Sequence, residues 1–194
     1  MKIVTFTSVT LDGVMQAPGR PDEDTRGGFE HGGWAAPYSD ESMNEIAGES
    51  MAQTGGLLFG RRTYEDFYEV WPKQQDNPFT DVLNRSPKYV ASRSLREPLP
   101  WQNSRLLSGD ATHAVAELRK QDGKDLVILG SGDLVRSLLP HGLVDRMVLL
   151  VHPLFLGSGQ RLFGDDGVDK RLVLAGTQTT PTGVVVATYE AAVG

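Results

Sequence analysis

Cysteine is absent from the 194 residues of the chain. This absence excludes disulfides, thiolate catalysis and cysteine-ligated zinc or iron–sulfur sites. The four histidines show no metal-ligand spacing, and no pattern of a nucleophile with its base is visible. We therefore predict that the protein holds no metal.

Long hydrophobic runs and an excess of positive charge are also missing. No stretch approaches the roughly 20 apolar residues that a membrane helix requires. The N-terminal MKIVTFTSV alternates apolar and polar residues, which is typical of a strand and not of a signal peptide. The formal net charge of -6 argues against nucleic-acid binding, which normally shows a basic excess on one face. We expect a cytoplasmic protein with a small-molecule ligand and neither a membrane nor a nucleic-acid partner.

Strands and helices alternate along the chain. Apolar runs of strand length occupy residues 2–9, 56–60, 88–92, 104–108, 125–130 and 146–153. Helical-period stripes lie between most of them, and we interpret these stripes as core packing. In one stripe, the aromatic residues Tyr64, Phe67, Tyr68 and Trp71 follow an i, i+3, i+4, i+7 pattern. The long segment 12–40 lacks a regular pattern and fits equally an active-site cover or a mobile excursion.

The order of these elements predicts the fold class. Near-continuous apolar character in GLLFG and LVILG indicates a mainly parallel sheet covered on both faces. The later stretch KRLVLAGTQTTPTGVVVATYEA offers two strands with a short Thr/Pro/Gly-rich connection. We predict a single α/β domain over residues 1–194, built as a three-layer α/β/α sandwich. Its sheet is mixed and mostly parallel, with an antiparallel C-terminal hairpin.

Three predicted strand ends carry groups suited to an anionic ligand. In FGRRTYEDF, Gly60 ends a strand, two arginines follow, and Thr63 can cap the next helix. YVASRSL places two hydroxyls and a guanidinium at a second strand end, and LVILGSGDLV places a glycine turn at a third. Each signal alone is more often a solvated end or an economical turn. Because ligands of open α/β sheets bind beyond the carboxyl ends of the strands, the combination fits an extended, phosphate-bearing dinucleotide.

The motif order makes this interpretation more specific. No GxGxxG follows the first strand, so the usual Rossmann case does not apply. Taken in order, TSVTLDG, LLFGRRTYEDF, KYVASRS, LVILGSGDLVRSLL and GLVDRMVLLVHPLFLGSGQRLF resemble the dihydrofolate reductase-like superfamily. Within it, the chain is most similar to the reductase domain of bifunctional riboflavin biosynthesis proteins (the RibD C-terminal domain family), including its stand-alone members. The resemblance implies a mixed sheet of about eight strands, NADPH binding, hydride transfer and frequently a homodimer.

Carried over by position, the resemblance implies a cofactor site built from the three strand ends. The arginine turn corresponds to the grip on the 2′-phosphate and pyrophosphate, the serine–arginine loop to the adenosine phosphate, and the glycine turn to the pyrophosphate. The dihydrofolate reductase turn contains a cis Gly–Gly peptide; here Ser131 replaces the second glycine, and the isomer is left open. The candidate cofactor-binding residues are Gly60, Arg61, Arg62, Thr63, Ser92, Arg93, Gly130, Ser131, Gly132, Asp133 and Leu134.

The substrate side carries several alternatives. Asp12 and Gly13 end the first strand, where the resemblance implies that nicotinamide and substrate meet, so Gly13 is a candidate substrate-site residue. Asp12 is a candidate for orienting the substrate or supplying a proton, or the two residues form an ordinary Asp-Gly turn. Gln16 would border the nicotinamide, and Trp34 would either stack on a substrate ring or pin the long loop to the core. Asp40 is a second candidate catalytic acid, but it fits equally a residue that interacts with a helix dipole. A bound water is the third proton source.

The function that these expectations describe is an NADPH-dependent reductase. Its substrate would be a small pterin- or pyrimidine-like molecule with a C=N or C=O group, as in 5-amino-6-(5-phosphoribosylamino)uracil reductases. No acid falls cleanly at the place of the pterin-holding carboxylate, where Asn44 is the nearest equivalent, which argues against dihydrofolate. The alternatives are a non-catalytic NADP(H) or nucleotide sensor of the same fold and a structural or interaction domain that binds no dinucleotide.

Overall fold

The computed structural model describes residues 1–52, 54–74, 77–164 and 169–192. Within them, one sheet contains the strands β1 (Ile3–Thr10), β2 (Thr54–Gly60), β3 (Lys88–Ala91), β4 (Ser104–Leu107), β5 (Asp125–Leu129), β6 (Arg146–His152), β7 (Leu172–Thr179) and β8 (Val185–Ala191). The α-helices are α1 (Glu41–Ala52), α2 (Arg61–Val70), α3 (Pro78–Arg85), α4 (Ala111–Arg119) and α5 (Gly132–Leu138). None of the helices in this described part is long and apolar enough to cross a membrane.

The strands follow the spatial order β4-β3-β2-β5-β1-β6-β8-β7. The first six strands in this order pair in parallel, whereas β8 is antiparallel to both β6 and β7. The carboxyl ends of the six parallel strands therefore lie along one edge of the sheet. This topology confirms the predicted mixed, mostly parallel sheet with an antiparallel C-terminal hairpin.

Helices cover both faces of the sheet because the strands are apolar on both sides. On β1, Ile3 and Val9 belong to a core cluster with side chains of α4 and α5, while Val4 belongs to a cluster with side chains of α2 and α3. A smaller cluster around Leu150 packs against Met43 of α1. The three layers that the sequence predicts are confirmed.

The first turns of α2 and α4 are capped in different ways. Helix α2 begins at Arg61, and Gly60 is its N-cap with extended backbone (φ −78°, ψ 161°). The expected capping by Thr63 is therefore wrong, because Thr63 lies inside the first turn. At α4 the cap is Asp110, whose carboxylate accepts a hydrogen bond from the backbone N–H of His113 at 3.0 Å.

Candidate functional site

A cleft of about 1010 Å³ opens at the carboxyl ends of the central strands. Residues at the ends of β1, β2, β5 and β6 line it, together with the N-terminal part of α2, the start of α5 and parts of segment 12–40. In open α/β sheets this edge binds ligands, because the loops and helix starts that follow the strands can be shaped without disturbing the covered sheet. The cleft is therefore the candidate functional site.

The arginine turn and the glycine turn meet in this cleft. The backbone N–H of Gly60 donates to the Ser131 hydroxyl oxygen at 3.0 Å. Arg62 Nη1 lies 3.3 Å from a carboxylate oxygen of Asp133. The Thr63 methyl would lie 3.5 Å from a Cβ placed on Gly130. Two of the three predicted strand ends are thus brought into direct contact.

The glycine turn has a left-handed backbone at two consecutive residues. Gly130 has φ +59° and Ser131 has φ +53° and ψ +48°. For serine this conformation costs about 1–2 kcal/mol, so the bond between its hydroxyl and Gly60 is one interaction that offsets the cost. Both peptide bonds that flank Ser131 are trans, which answers the question that the sequence left open.

The arginines at the start of α2 are already paired with acids. Arg61 Nη1 lies 2.8 Å from a Glu65 oxygen one helical turn later, and Arg62 pairs with Asp133. All four side chains are more than a third exposed, and exposed ion pairs contribute only about 0–1 kcal/mol. Both arginines are therefore available to a stronger anion such as a phosphate.

The third predicted strand end lies outside the main cleft. Ser92 and Arg93 line a separate pocket of about 540 Å³ together with Arg96 and Glu97. The Ser92 hydroxyl accepts a hydrogen bond from the backbone N–H of Leu95 at 3.0 Å, which closes a tight turn. Leu134, another candidate cofactor residue, is buried in the core and does not line the cleft.

Asp12 holds two loops together. Its carboxylate accepts hydrogen bonds from the Thr10 hydroxyl at 2.6 Å and from the Gly157 N–H at 2.9 Å, and its carbonyl accepts one from Arg161 Nε at 2.8 Å. The Thr10 bond is the main reason that the pKa of Asp12 is lowered. Neither Asp12 nor Gly13 lines the cleft. The catalytic role of Asp12 stays a prediction, and this geometry argues against proton donation at neutral pH.

Asp40 is engaged at the start of α1. One carboxylate oxygen accepts from the Met43 N–H at 2.8 Å, and the other accepts from the Thr182 hydroxyl at 2.9 Å. The Met43 bond is the main reason that the pKa of Asp40 is lowered. The structure therefore supports the alternative of a helix N-terminal residue, and the catalytic role of Asp40 also stays a prediction.

Gln16 is buried, and its side chain joins two parts of segment 12–40 to the loop at Gln160. Its amide nitrogen donates to the carbonyls of Asp24 and Arg26 at 3.1 and 3.0 Å, and its amide oxygen accepts from the Gln160 N–H at 2.9 Å. The Trp34 indole N–H donates to the Gln16 carbonyl at 2.7 Å. Gln16 lines the cleft, and its place beside a nicotinamide stays a prediction, whereas buried Trp34 anchors the loop behind it.

Sequence reasoning missed an ion pair that joins segment 12–40 to α2. Arg20 Nη2 lies 2.6 Å from an Asp66 oxygen, and both residues line the cleft. Nearby, the Glu23 carboxylate accepts a 2.6 Å bond from the Gly19 N–H. Burial raises the pKa of Glu23, so it is a cleft carboxyl group that binds a proton more readily than usual. These contacts span an irregular loop, and no sequence periodicity identifies them.

The aromatic stripe of α2 and a buried histidine also belong to the cleft. Tyr64 is buried in the core, as interpreted, but Phe67 and Trp71 remain half-buried and line the cleft. His152 ends β6, and its ring contacts those of Trp34 and Tyr38 edge-on at centroid distances of 5.1 and 5.5 Å. Burial lowers the pKa of His152, which favours the neutral imidazole.

The chain matches one known protein family over nearly its whole length. The model of the RibD C-terminal domain matches residues 1–186. The chain belongs to the RibD C-terminal domain family. The resemblance seen in the sequence motifs is thereby confirmed.

Two proteins of Bacillus subtilis (strain 168), both described as uncharacterized, are similar to this chain. YyaP of Bacillus subtilis (strain 168) is 28% identical over 195 residues, covering 97% of this chain and 94% of YyaP. YwjB of the same organism is 26% identical over 180 residues, covering 91% of each chain. Both similarities cover more than nine-tenths of this chain.

Solved structures share the fold of this RibD C-terminal domain. A putative riboflavin biosynthesis protein from Shewanella sp. PV-4 superposes with a TM-score of 0.70 at 22% identity, covering 99% of both chains. A pyrimidine reductase-like protein from Corynebacterium diphtheriae gives a TM-score of 0.66 at 15% identity, covering 100% of this chain and 92% of its own. The expected dihydrofolate reductase-like fold is confirmed. Membership in the RibD C-terminal domain family supports a reductase.

The residues of the two joined turns fit the phosphates of a nicotinamide dinucleotide. A Cβ on Gly60 would lie 3.7 Å from the Ser131 hydroxyl and one on Gly130 would lie 3.5 Å from Thr63, so side chains there would fill the gap between the turns. The partly exposed guanidinium groups of Arg61 and Arg62 line the cleft beside these turns. Among the described residues, no group of His, Asp and Glu side chains could hold a metal ion.

Proposed function

We propose that the protein is an NADPH-dependent reductase that transfers a hydride to a C=N or C=O group of a small molecule. The observation that carries this proposal is the contact between the arginine turn and the glycine turn at the mouth of one large cleft. In the proposed complex, Arg61 and Arg62 contact the 2′-phosphate and pyrophosphate, and Gly130 lets these groups approach the backbone of the turn. NADPH supplies the hydride.

In the proposed reaction the protein aligns the cofactor with the substrate and excludes water from the cleft. Gln16 fixes segment 12–40 at the cleft through hydrogen bonds to both flanking loops, and the Arg20–Asp66 pair fastens the same segment to α2. Holding the two reactants in one orientation lowers the entropic part of the barrier. Glu23 lines the cleft, whereas Asp12 and Asp40 do not, and burial raises the pKa of Glu23. Both features make Glu23 a better proton donor than Asp12 or Asp40.

Titrations with NADPH and NADH test the cofactor assignment. Each arginine that contacts the 2′-phosphate contributes about 1.5–3 kcal/mol, so Arg61→Ala or Arg62→Ala should weaken NADPH binding roughly 10- to 150-fold. NADH binding should barely change for an arginine that contacts only the 2′-phosphate, whereas loss of an arginine on the pyrophosphate, which both cofactors carry, should weaken both. Arg93→Ala should give the same selective loss if the adenosine end of the cofactor reaches the smaller pocket. Calorimetry at physiological salt gives both affinities.

Two further variants sharpen this titration. Asp133→Asn removes the acid that competes for Arg62, so NADPH should bind several-fold more tightly. Arg85→Ala removes an exposed arginine of α3 and should leave both affinities unchanged. Equal losses for NADPH and NADH in the arginine variants would refute the 2′-phosphate assignment. Binding without oxidation of NADPH by any of a broad panel of carbonyl and imine substrates would favour the non-catalytic sensor.

We also propose that the protein forms a homodimer through β7. All eight residues of this edge strand are exposed, and Val173 and Leu174 are 57% and 53% exposed. An exposed apolar edge is a ready partner for another strand. Sedimentation analysis should find a dimer for the wild-type protein and a monomer for Val173→Lys. A monomeric wild-type protein at micromolar concentration would refute this proposal.

A further inference from the structure

One end of the cleft is apolar and aromatic. On β1 the floor is Phe6; on one side lie Phe67, Trp71 and Phe79, and on the other lie Tyr38 and Met43. We call these six residues the aromatic end. None of them is fully buried, although each packs against a core cluster. Apolar surface that the fold leaves open inside a concave site is typical of a ligand-binding groove.

The rings of the aromatic end form a continuous wall. Trp71 lies edge-on to Phe79 with ring centroids 5.0 Å apart, and Phe67 lies 6.0 Å from Trp71. Phe6 contacts both the cluster behind α2 and the cluster behind α1, so the floor joins the two sides. A flat ring fits such a wall, because aromatic groups gain from offset or edge-to-face contacts.

The charged groups around the aromatic end already have partners within the protein. Asp40, the acid at the start of α1, directs its carboxylate to Met43 N–H and Thr182. Each arginine that lines the cleft is paired with a carboxylate, in the pairs Arg20–Asp66, Arg26–Asp24, Arg61–Glu65 and Arg62–Asp133. In the proposed complex the cofactor phosphates occupy Arg61 and Arg62, and Arg20 and Arg26 pair with largely buried acids. A charged acceptor therefore finds no free arginine in the cleft, whereas an uncharged acceptor needs none.

We propose that the aromatic end binds an uncharged aromatic carbonyl compound as the hydride acceptor. This substrate class rests on the proposed reductase function. The carbonyl carbon accepts the hydride from NADPH, the π electron pair of the C=O bond moves to the oxygen, and a proton from solvent or from Glu23 completes the alcohol. The products are the aryl alcohol and NADP⁺. The apolar walls exclude water from the reacting carbon.

Binding of 2-acetylnaphthalene tests the substrate class independently of hydride transfer. Calorimetry should show binding of this ketone and at least about tenfold weaker binding of 2-naphthoate, which has the same ring system with a charge. Trp71→Ala should weaken ketone binding roughly 3- to 10-fold. Phe155→Ala removes a ring that is 74% exposed outside the cleft and should have no effect.

A second variant guards against misfolding. Phe67→Leu keeps the site apolar but removes a ring, so it should also weaken ketone binding while the urea midpoint stays near that of the wild-type protein. Equal binding of ketone and naphthoate, or equal effects of Trp71→Ala and Phe155→Ala, would overturn the proposal. So would NADPH oxidation with a phosphorylated ribosylaminopyrimidine but not with the ketone, and in that case the reductase function would stand. A protein that binds no NADPH would refute the reductase function itself.

Discussion

A fully buried lysine offers a quantitative test of the structure. Lys88 starts β3, has no exposed surface, and donates from Nζ to the backbone carbonyls of Ser86 and Gln102 at 2.9 Å and of Asn84 at 3.3 Å. The same nitrogen lies 4.6 Å from the ring centroid of Trp101. Burial lowers the pKa of Lys88 from 10.5 to about 8.

This shift makes stability depend on pH in a defined direction. Between the native pKa of about 8 and the unfolded value of 10.5, the unfolded chain binds more protons at this site than the folded chain does. Stability attributable to Lys88 therefore rises as pH increases through this window. The difference of about 2.5 units corresponds to at most about 3 kcal/mol, because one unit is worth 1.36 kcal/mol.

The assay compares Lys88→Met with the wild-type protein in urea unfolding from pH 7 to 10.5, monitored by tryptophan fluorescence. At pH 7 the variant loses three charge-assisted hydrogen bonds but no longer buries a charge. The stability difference, wild type minus variant, should increase by up to about 3 kcal/mol across the range. Lys124→Met, at an exposed position, should keep a constant difference. A constant difference for Lys88→Met would refute the reasoning.

Two further predictions concern side chains whose hydrogen bonds connect separate turns and loops at or near the cleft. Ser131→Ala should lower NADPH affinity about 5- to 10-fold by calorimetry, because Gly60 loses its hydrogen-bond acceptor. Ser131→Gly should lower the affinity equally but regain about 1 kcal/mol of stability in urea, because it removes left-handed strain. Unchanged affinity in both variants would contradict the coupling of the two turns. Asp12→Asn should destabilise the fold by about 1–3 kcal/mol at pH 7. Since the native pKa of Asp12 is lowered, this contribution should fade as acid protonates it, so profiles that stay parallel down to pH 3 would count against it.

The fold was predictable because its signals are local. Continuous apolar runs identify buried parallel strands, and the Thr/Pro/Gly-rich connection before β8 identifies a hairpin. The meeting of Gly60 with Ser131 was predictable for a topological reason: parallel strands that lie side by side present their following turns at the same edge.

The remainder of the site depends on contacts that periodicity does not encode. Asp12 is bound by Gly157, 145 residues away, through an irregular loop. The stripe on α2 shows which side chains share a face, but it does not show where the core ends, so Tyr64 is buried while Trp71 reaches the cleft. Arg93 follows a strand near the edge of the sheet, and its loop faces a different pocket.

The position of β8 between β6 and β7 has a consequence for biosynthesis. Although β7 precedes β8 in the chain, β8 is the only strand that pairs with β7 in the part of the chain that the structure describes. During translation β7 therefore cannot pair with a neighbouring strand, and β6 stays an open edge of the sheet, until the residues of β8 have left the ribosome. The parallel part of the sheet can assemble first, and the hairpin closes it last, bringing Val184 and Val186 against Tyr38 and Met43 of the cleft.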